Sequence, residues 1–273
     1  MRLGTSTYSY WHFEKRKMPL KYYLEKASEH GFEGVEILVD HFESKSHVYI
    51  KELKRSAFLN GLEIYAIAIH NDFVSPDKEE RAEQIAYVEE WIEIAHSLGA
   101  SLVRINSGRW RTIKSFDELM AKGGIEPPIP GYTEEDAVNW VVDCIYTCLD
   151  SAEDYGVILG LENHWGLTTN AKTMLKILER VHSKWFGVVM DTGNFISDTY
   201  TQLRMIAPYT VMVHAKTYFG GGVWYTLDID YDRVFEILRE VSFKGWISLE
   251  YEGKEEYESG IKKSIELLRG FIQ

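Results

Sequence analysis

Four apolar runs in the second half of the chain finish on residues able to bind a cation. Val157-Ile158-Leu159-Gly160-Leu161 leads into Glu162-Asn163-His164, and Val188-Val189-Met190 leads into Asp191-Thr192-Gly193-Asn194. Val211-Met212-Val213 leads into His214-Ala215-Lys216, and Ile247-Ser248-Leu249 leads into Glu250-Tyr251-Glu252. Any one of these polar residues could simply cap a strand. Four in succession point to a shared task, because three carboxylates gathered in an apolar rim repel one another and rise in pKa unless a cation neutralises them. A divalent metal held by Glu162, Asp191, His214 and Glu250 is the simplest solution. One imidazole with three carboxylates is a mostly hard donor set, suited to Mn²⁺ or Mg²⁺, with Co²⁺ or Zn²⁺ as alternatives.

Ligands so far apart in the chain need a scaffold that brings strand ends together. Short β-branched runs alternate with longer amphipathic stretches throughout, the pattern of a parallel sheet covered by helices. Eight strands are expected: Leu3–Tyr8, Gly34–Val39, Glu63–Ile69, Leu102–Ile105, Val157–Glu162, Gly187–Asp191, Val211–His214 and Ile247–Glu250. No Gly-x-Gly-x-x-Gly follows the first of them, which weighs against a dinucleotide-binding open sheet. The 273 residues are close to the ~250 typical of a (β/α)₈ TIM barrel, and the expected fold is one such α/β domain over 1–273. All strands of a barrel end on one rim, so strand phase matters more than sequence spacing.

The helices carry their own signals. Ser75 and Pro76 read as the N-cap and first turn of a helix with Ile85, Val88, Ile92 and Ala95 on one face. Thr133 with Asp136 reads as a capping box. Ile261, Ile265, Leu268 and Ile272 repeat at one-face spacing in the last helix. Cys144 and Cys148, four apart, read as small apolar residues on one helix face rather than a disulfide framework. Residues 106–132 interrupt the rhythm with Gly123-Gly124, Pro127-Pro128 and Pro130-Gly131. So long a loop after a strand lies on the catalytic face of a barrel and is a candidate lid.

Other rim positions are candidates for substrate contact or catalysis. His164 lies two residues past Glu162 and Lys216 two past His214, each in the same strand phase. The imidazole either shuttles a proton or hydrogen-bonds a carboxylate; the ammonium either stabilises an oxyanion or forms an ion pair. His70, Asn71, Asn106 and Arg109 follow strands three and four, and Glu36 offers a hydroxyl contact or an interior ion pair. Trp11, Trp110, Trp165 and Trp224 follow strands, where aromatic faces cover sugar C–H groups or pack into the core.

Composition bounds the function. Hydrophobic residues at 45% and charged residues at 26% are those of an ordinary globular chain, and the formal charge of −12 argues against a nucleic-acid partner. There is no apolar run of ~18 residues and no apolar secretion signal at the start, so a cytoplasmic protein that does not enter membranes is expected.

The ordered Glu162, Asp191, His214 and Glu250 resemble the metal ligands of the xylose isomerase-like barrels, a superfamily of sugar isomerases and epimerases that includes endonuclease IV, inosose dehydratase and hydroxypyruvate isomerase. The resemblance spans essentially the whole chain. It implies one divalent metal, a small sugar or polyol-derived carbonyl substrate, and Glu162 and Glu250 as an acid–base pair facing each other across that substrate. Proton transfer through an enediolate would give an isomer or an epimer. A dehydratase of the inosose-dehydratase type, a hydride shift and a non-catalytic sugar-binding barrel are the alternatives it leaves open. Dimers and tetramers are common in such families, so a homo-oligomer is compatible with it. This chain departs from the ketose 3-epimerase pattern at Asn194, where those enzymes carry a substrate-contacting histidine, and after His214, where Lys216 stands in place of an arginine. Against endonuclease IV, only His70 resembles an additional zinc ligand, while Asn106 and Asn194 stand where histidines are needed.

Overall fold

The computed structural model describes residues 1–11, 18–222 and 225–272, the side chain of Trp11 excepted. Eight parallel strands close on themselves in chain order. They are β1 (Arg2–Ser6), β2 (Gly34–Leu38), β3 (Glu63–Ala68), β4 (Leu102–Ile105), β5 (Ile158–Glu162), β6 (Phe186–Asp191), β7 (Thr210–Thr217) and β8 (Trp246–Tyr251). A short helix α1 (Tyr8–Trp11) follows β1, and α2 (Leu20–Glu29), α3 (His47–Leu59) and α4 (Lys78–Leu98) link β1 to β4. Between β4 and β5 come α5 (Phe116–Ala121) and α6 (Glu134–Tyr155). The remaining connections are α7 (Ala171–Leu178), α8 (Thr199–Ile206), α9 (Tyr231–Glu240) and, after β8, α10 (Tyr257–Arg269). The expected (β/α)₈ barrel is therefore the fold, with α1 and α5 added after strand ends on the C-terminal rim.

Local differences from the sequence pattern have local causes. β1 stops at Ser6, whose hydroxyl accepts from the Tyr8 amide as the chain turns into α1. β7 runs three residues past His214, because β8 stays in register with it, Lys216 beside Glu250 and Thr217 beside Tyr251. Asp77 rather than Ser75 caps α4, its carboxylate accepting from the Glu79 amide, while the Ser75 hydroxyl donates to Glu80. The capping box of Thr133 and Asp136 is present at α6, and Cys144 and Cys148 are buried in that helix as free thiols.

The barrel interior is plugged from below. Tyr65 and Trp246 stack with ring centroids 4.2 Å apart. Glycine makes the room: a Cβ at Gly4 would lie 2.4 Å from the Tyr65 ring, and one at Gly34 would lie 2.9 Å from Trp246. The Tyr65 hydroxyl donates to Ser248 Oγ at 2.7 Å, and Ser248 in turn donates to Glu36 Oε2 at 3.1 Å. The apolar plug thus hands over to a polar layer one rung higher. No helix among the described residues is long and apolar enough to cross a membrane.

The 106–132 segment is tied down rather than hung free. The Glu126 side chain, 1% exposed, accepts from the amides of Arg111 (2.8 Å) and Ile113 (2.9 Å) and from the Arg109 guanidinium (3.1 Å). Arg111 also donates to Asp72, which follows β3, at 2.7 Å. Deleting the Glu126 carboxylate strands two backbone donors and a guanidinium, a loss of about 1–3 kcal/mol. Glu126→Ala is expected to lower the urea midpoint accordingly and to open 106–132 to limited proteolysis. Unchanged cleavage would show that the latch does not hold the loop.

Candidate active site

The four strand-end residues singled out in the sequence meet. One donor atom from each of Glu162, Asp191, His214 and Glu250 lies within 4.8 Å of the others, and all four residues are buried. Strand pairing sets Asp191 beside His214. His214 is the hub: its Nδ1 lies 3.0 Å from Glu162 Oε1, 3.6 Å from Glu250 Oε1 and 4.0 Å from Asp191 Oδ2. Its Nε2 faces the two oxygens of Glu36 at 2.9 and 3.0 Å. A proton on Nε2 donated to Glu36 leaves Nδ1 directed at the other carboxylates, the arrangement that orients a metal-ligating histidine.

The donor set fits a divalent cation. Glu162 Oε2 and Asp191 Oδ2 are buried and accept no hydrogen bond, although Arg104 Nε and Lys216 Nζ each stand 3.3 Å away. Among the described residues, ion pairs join five carboxyl groups, Glu36, Glu162, Asp191, Glu250 and Glu252, to three basic groups, His214, Lys216 and Arg104, with the His164 imidazole beside Glu162. Fully ionised, the set has more negative than positive charge, and either a cation or protons must make up the difference.

Protonation follows that balance. Burial pushes Glu250 up to about 7, with His214 and Lys216 pulling the other way. Burial also raises Asp191 well above the usual carboxylate range, against the Lys216 charge and with those of Glu162 and Glu250. For Glu162 burial is outweighed by Arg104, His164 and His214, which hold it well below that range. Burial disfavours the His214 cation, but Glu250, Glu36 and Glu162 raise its pKa well above normal. Burial keeps His164 neutral, with Glu162 opposing and Arg104 assisting. Lys216 remains charged despite burial, held so by Asp191 and Glu252.

Above the cluster is a cavity of about 270 Å³, whose walls include Glu162, Glu250, His164, Lys216, His70 and Trp165. His70 Nε2 lies 3.1 Å from Asp40, and Trp165 stacks on His164 with centroids 4.4 Å apart. Phe116 and Met120 of α5 reach the same cavity, so the tied-down loop is part of its wall.

Asn106, Arg109 and Asn194 do not line that cavity. The Asn106 side chain accepts from Arg104 at 3.2 Å, and its backbone is bridged by the Asn71 amide. Arg109 is spent on Glu126 and the Ile113 carbonyl. Asn194 donates to the Asn163 carbonyl, which turns its Oδ1 toward Lys216 at 2.9 Å. Trp110 packs in the core, edge-on to Trp140. The Trp11 side chain and Trp224 lie outside the described residues.

Glu36 is the interior ion-pair partner, not a hydroxyl contact: it is fully buried beneath His214. Arg104, absent from the sequence candidates, lines the cavity beside Glu162. Its signal was a charge inside the four-residue apolar strand Leu102–Ile105. Glu252, in phase with Glu250, also lines the cavity and lies 3.1 Å from Lys216.

Across residues 24–271 the chain matches the family described as xylose isomerase-like TIM barrel. Uncharacterized protein MJ1311 of Methanocaldococcus jannaschii is 24% identical over 275 residues, covering 92% of this chain and 84% of that protein. A D-psicose 3-epimerase from Clostridium cellulolyticum H10, solved with D-tagatose, superposes with a TM-score of 0.79 at 17% identity over 100% of both chains. The IOLI protein, solved with a binding zinc atom, superposes with a TM-score of 0.72 at 18% identity over 100% of this chain and 96% of that one. At such identities these likenesses show a shared fold.

The raised Glu250 has a consequence for the metal-free protein. Between about pH 4.5 and about 7 the folded state holds a proton on Glu250 that the unfolded chain releases. Its contribution to stability is therefore present below that window and lost as pH rises through it. In chelator-treated protein, Glu250→Gln should flatten the fall of stability with pH by on the order of 3 kcal/mol. Melting curves that remain parallel from pH 4.5 to 8 would remove this assignment.

Proposed function

The chain belongs to the xylose isomerase-like TIM-barrel family, and on that premise we propose that it is a divalent-metal-dependent isomerase or epimerase of a small sugar or polyol-derived carbonyl compound. The observation that carries this reading is the convergence of Glu162, Asp191, His214 and Glu250 against a cavity, with two buried carboxylate oxygens that accept no hydrogen bond. The shared fold of a D-psicose 3-epimerase supports the same substrate class. The proposed setting is the cytoplasm, with no nucleic-acid partner.

Asp191 and His214 anchor the ion, while Glu162 and Glu250 both hold it and serve the reaction. When bound, Mn²⁺ or Mg²⁺, the ions best matched to this hard donor set, supplies Lewis acidity that makes the C–H next to a carbonyl easier to ionise. Glu162, kept ionised by Arg104, is suited to take that proton. Glu250, which reaches the same cavity from the end of β8, is suited to return one. Return to the neighbouring carbon gives an aldose–ketose isomer; return to the opposite face gives an epimer. The Lys216 ammonium stabilises negative charge developing on a substrate oxygen, and Asn194 acts through it by holding Nζ in place. Neutral His164 hydrogen-bonds a substrate hydroxyl, and Trp165 shields the site from water.

Two measurements test this reading. Asp191→Asn should leave the purified protein without stoichiometric metal, and Glu36→Gln should weaken metal binding about 10–100-fold by removing the carboxylate charge that makes the His214 ring a stronger donor to the ion. Full metal retention in both variants would discard the ligand set. A panel of ketoses and aldoses incubated in D₂O should yield an isomer carrying one solvent deuterium, abolished in Glu250→Gln. An isomer without deuterium would replace proton transfer by a hydride shift, and a product lighter by one water would make the enzyme a lyase.

A further inference from the structure

The catalytic cavity does not stand alone on the rim. Beside it lies a second cavity of about 210 Å³, and Met120, Trp165 and Tyr225 border both. Its remaining walls come from the loops after β4, β5, β6 and β7, including Gly123, Thr169, Asn194, Ile196 and Leu227. Small-molecule sites usually occupy ~300–1,000 Å³. Each cavity falls short of that range, and the two together fall within it.

Two features shape the wall of the second space. Gly123 and Gly124 both have positive φ, and the end of α5 approaches its neighbours there more closely than a side chain allows. A Cβ at Gly123 would lie 2.6 Å from Ile196 Cδ1, and one at Gly124 would lie 2.9 Å from Trp165 Cβ. Ile196 itself is 52% exposed, a large apolar side chain left uncovered at this wall. Aromatic rings with a few hydroxyls suit a pyranose, whose C–H faces pack on apolar surface while its rim makes hydrogen bonds. Tyr225 and Thr169 bring hydroxyls to this lining; their protons go to Asn194 Oδ1 at 3.5 Å and the Gly166 carbonyl at 3.1 Å, which leaves each oxygen to accept a hydrogen bond from a sugar.

We infer that the substrate is a ketose bearing a second, glycosidically linked sugar ring, with the reacting unit over Glu162 and Glu250 and the second ring between Trp165, Ile196 and Tyr225. This deepens the isomerase reading and rests on it for the chemistry of the first ring. The second ring contributes binding remote from the reacting carbon, which can be used to orient the first.

Three free ketoses, D-fructose, D-tagatose and D-psicose, and three reducing ketose disaccharides, lactulose, maltulose and palatinose, provide the test. In the metal-loaded wild-type enzyme at least one disaccharide should exchange deuterium from D₂O with kcat/KM about ten-fold or more above that of D-fructose. Ile196→Trp and Leu227→Trp, each filling the second cavity, should erase that preference and leave exchange into free ketoses unchanged. Equal exchange of both sets, unaltered in the two variants, overturns the inference and leaves the isomerase reading standing. If neither set exchanges, that reading falls, and calorimetric binding decides the second cavity: lactulose binding more tightly than D-fructose, with the difference lost in both variants, supports it. Equal or undetectable binding of the two overturns it.

Discussion

One imidazole between two carboxylates organises this molecule. His214 is buried with Glu36 on one ring nitrogen and Glu162 on the other. An uncompensated charge at such a depth is heavily penalised, so every neighbour must contribute to its balance. Below, Ser248 and Tyr65 continue the hydrogen bonding from Glu36 into the barrel plug. Above, Asp191 and Glu250 complete the set of donors. The ring is thereby held by the same strands that close the barrel, and its orientation is a property of the fold rather than of a loop.

The two remaining cations differentiate carboxylates that would otherwise behave alike. Arg104 stands beside Glu162, and Lys216 stands beside Asp191 and reaches toward Glu252. In the metal-free protein the result is one glutamate kept ionised and one that titrates near neutrality, although both are buried. Asparagines support the arrangement from behind. Asn163 bridges the amide and carbonyl of Asp191, as Asn71 does for Asn106, so adjacent strand ends are clamped where the charges are densest.

The cavity above the charges is built from connections that a barrel leaves free to vary. Glu126 turns the longest of them into a wall by absorbing backbone donors that would otherwise face an apolar interior. Phe116 and Met120 thereby join His70 and Lys216 in lining the cavity. The candidate metal ligands thus sit on strand ends, while anchored loops build much of the wall around them, a division that in barrels of this kind lets one fold serve many substrates.

The sequence by itself determined the barrel and the four donors. Alternating apolar runs and amphipathic stretches specify strand and helix period, and a charged residue ending an apolar run has one rim to occupy. Tertiary structure alone decided what surrounds them. Glu36 looks like any acid within a strand until the closed barrel brings its carboxylate against His214 Nε2. Arg104 belongs to the site because β4 pairs with β5 in a register that sets it beside Gly160, in the phase of Glu162. Asn106 and Arg109 follow a strand as His164 does, but their side chains are spent on Arg104 and Glu126, through contacts that span two to seventeen residues and are settled by loop packing. Periodicity records which way a strand residue faces; it carries no information about the partner across the barrel or about where a loop side chain finds its hydrogen bond.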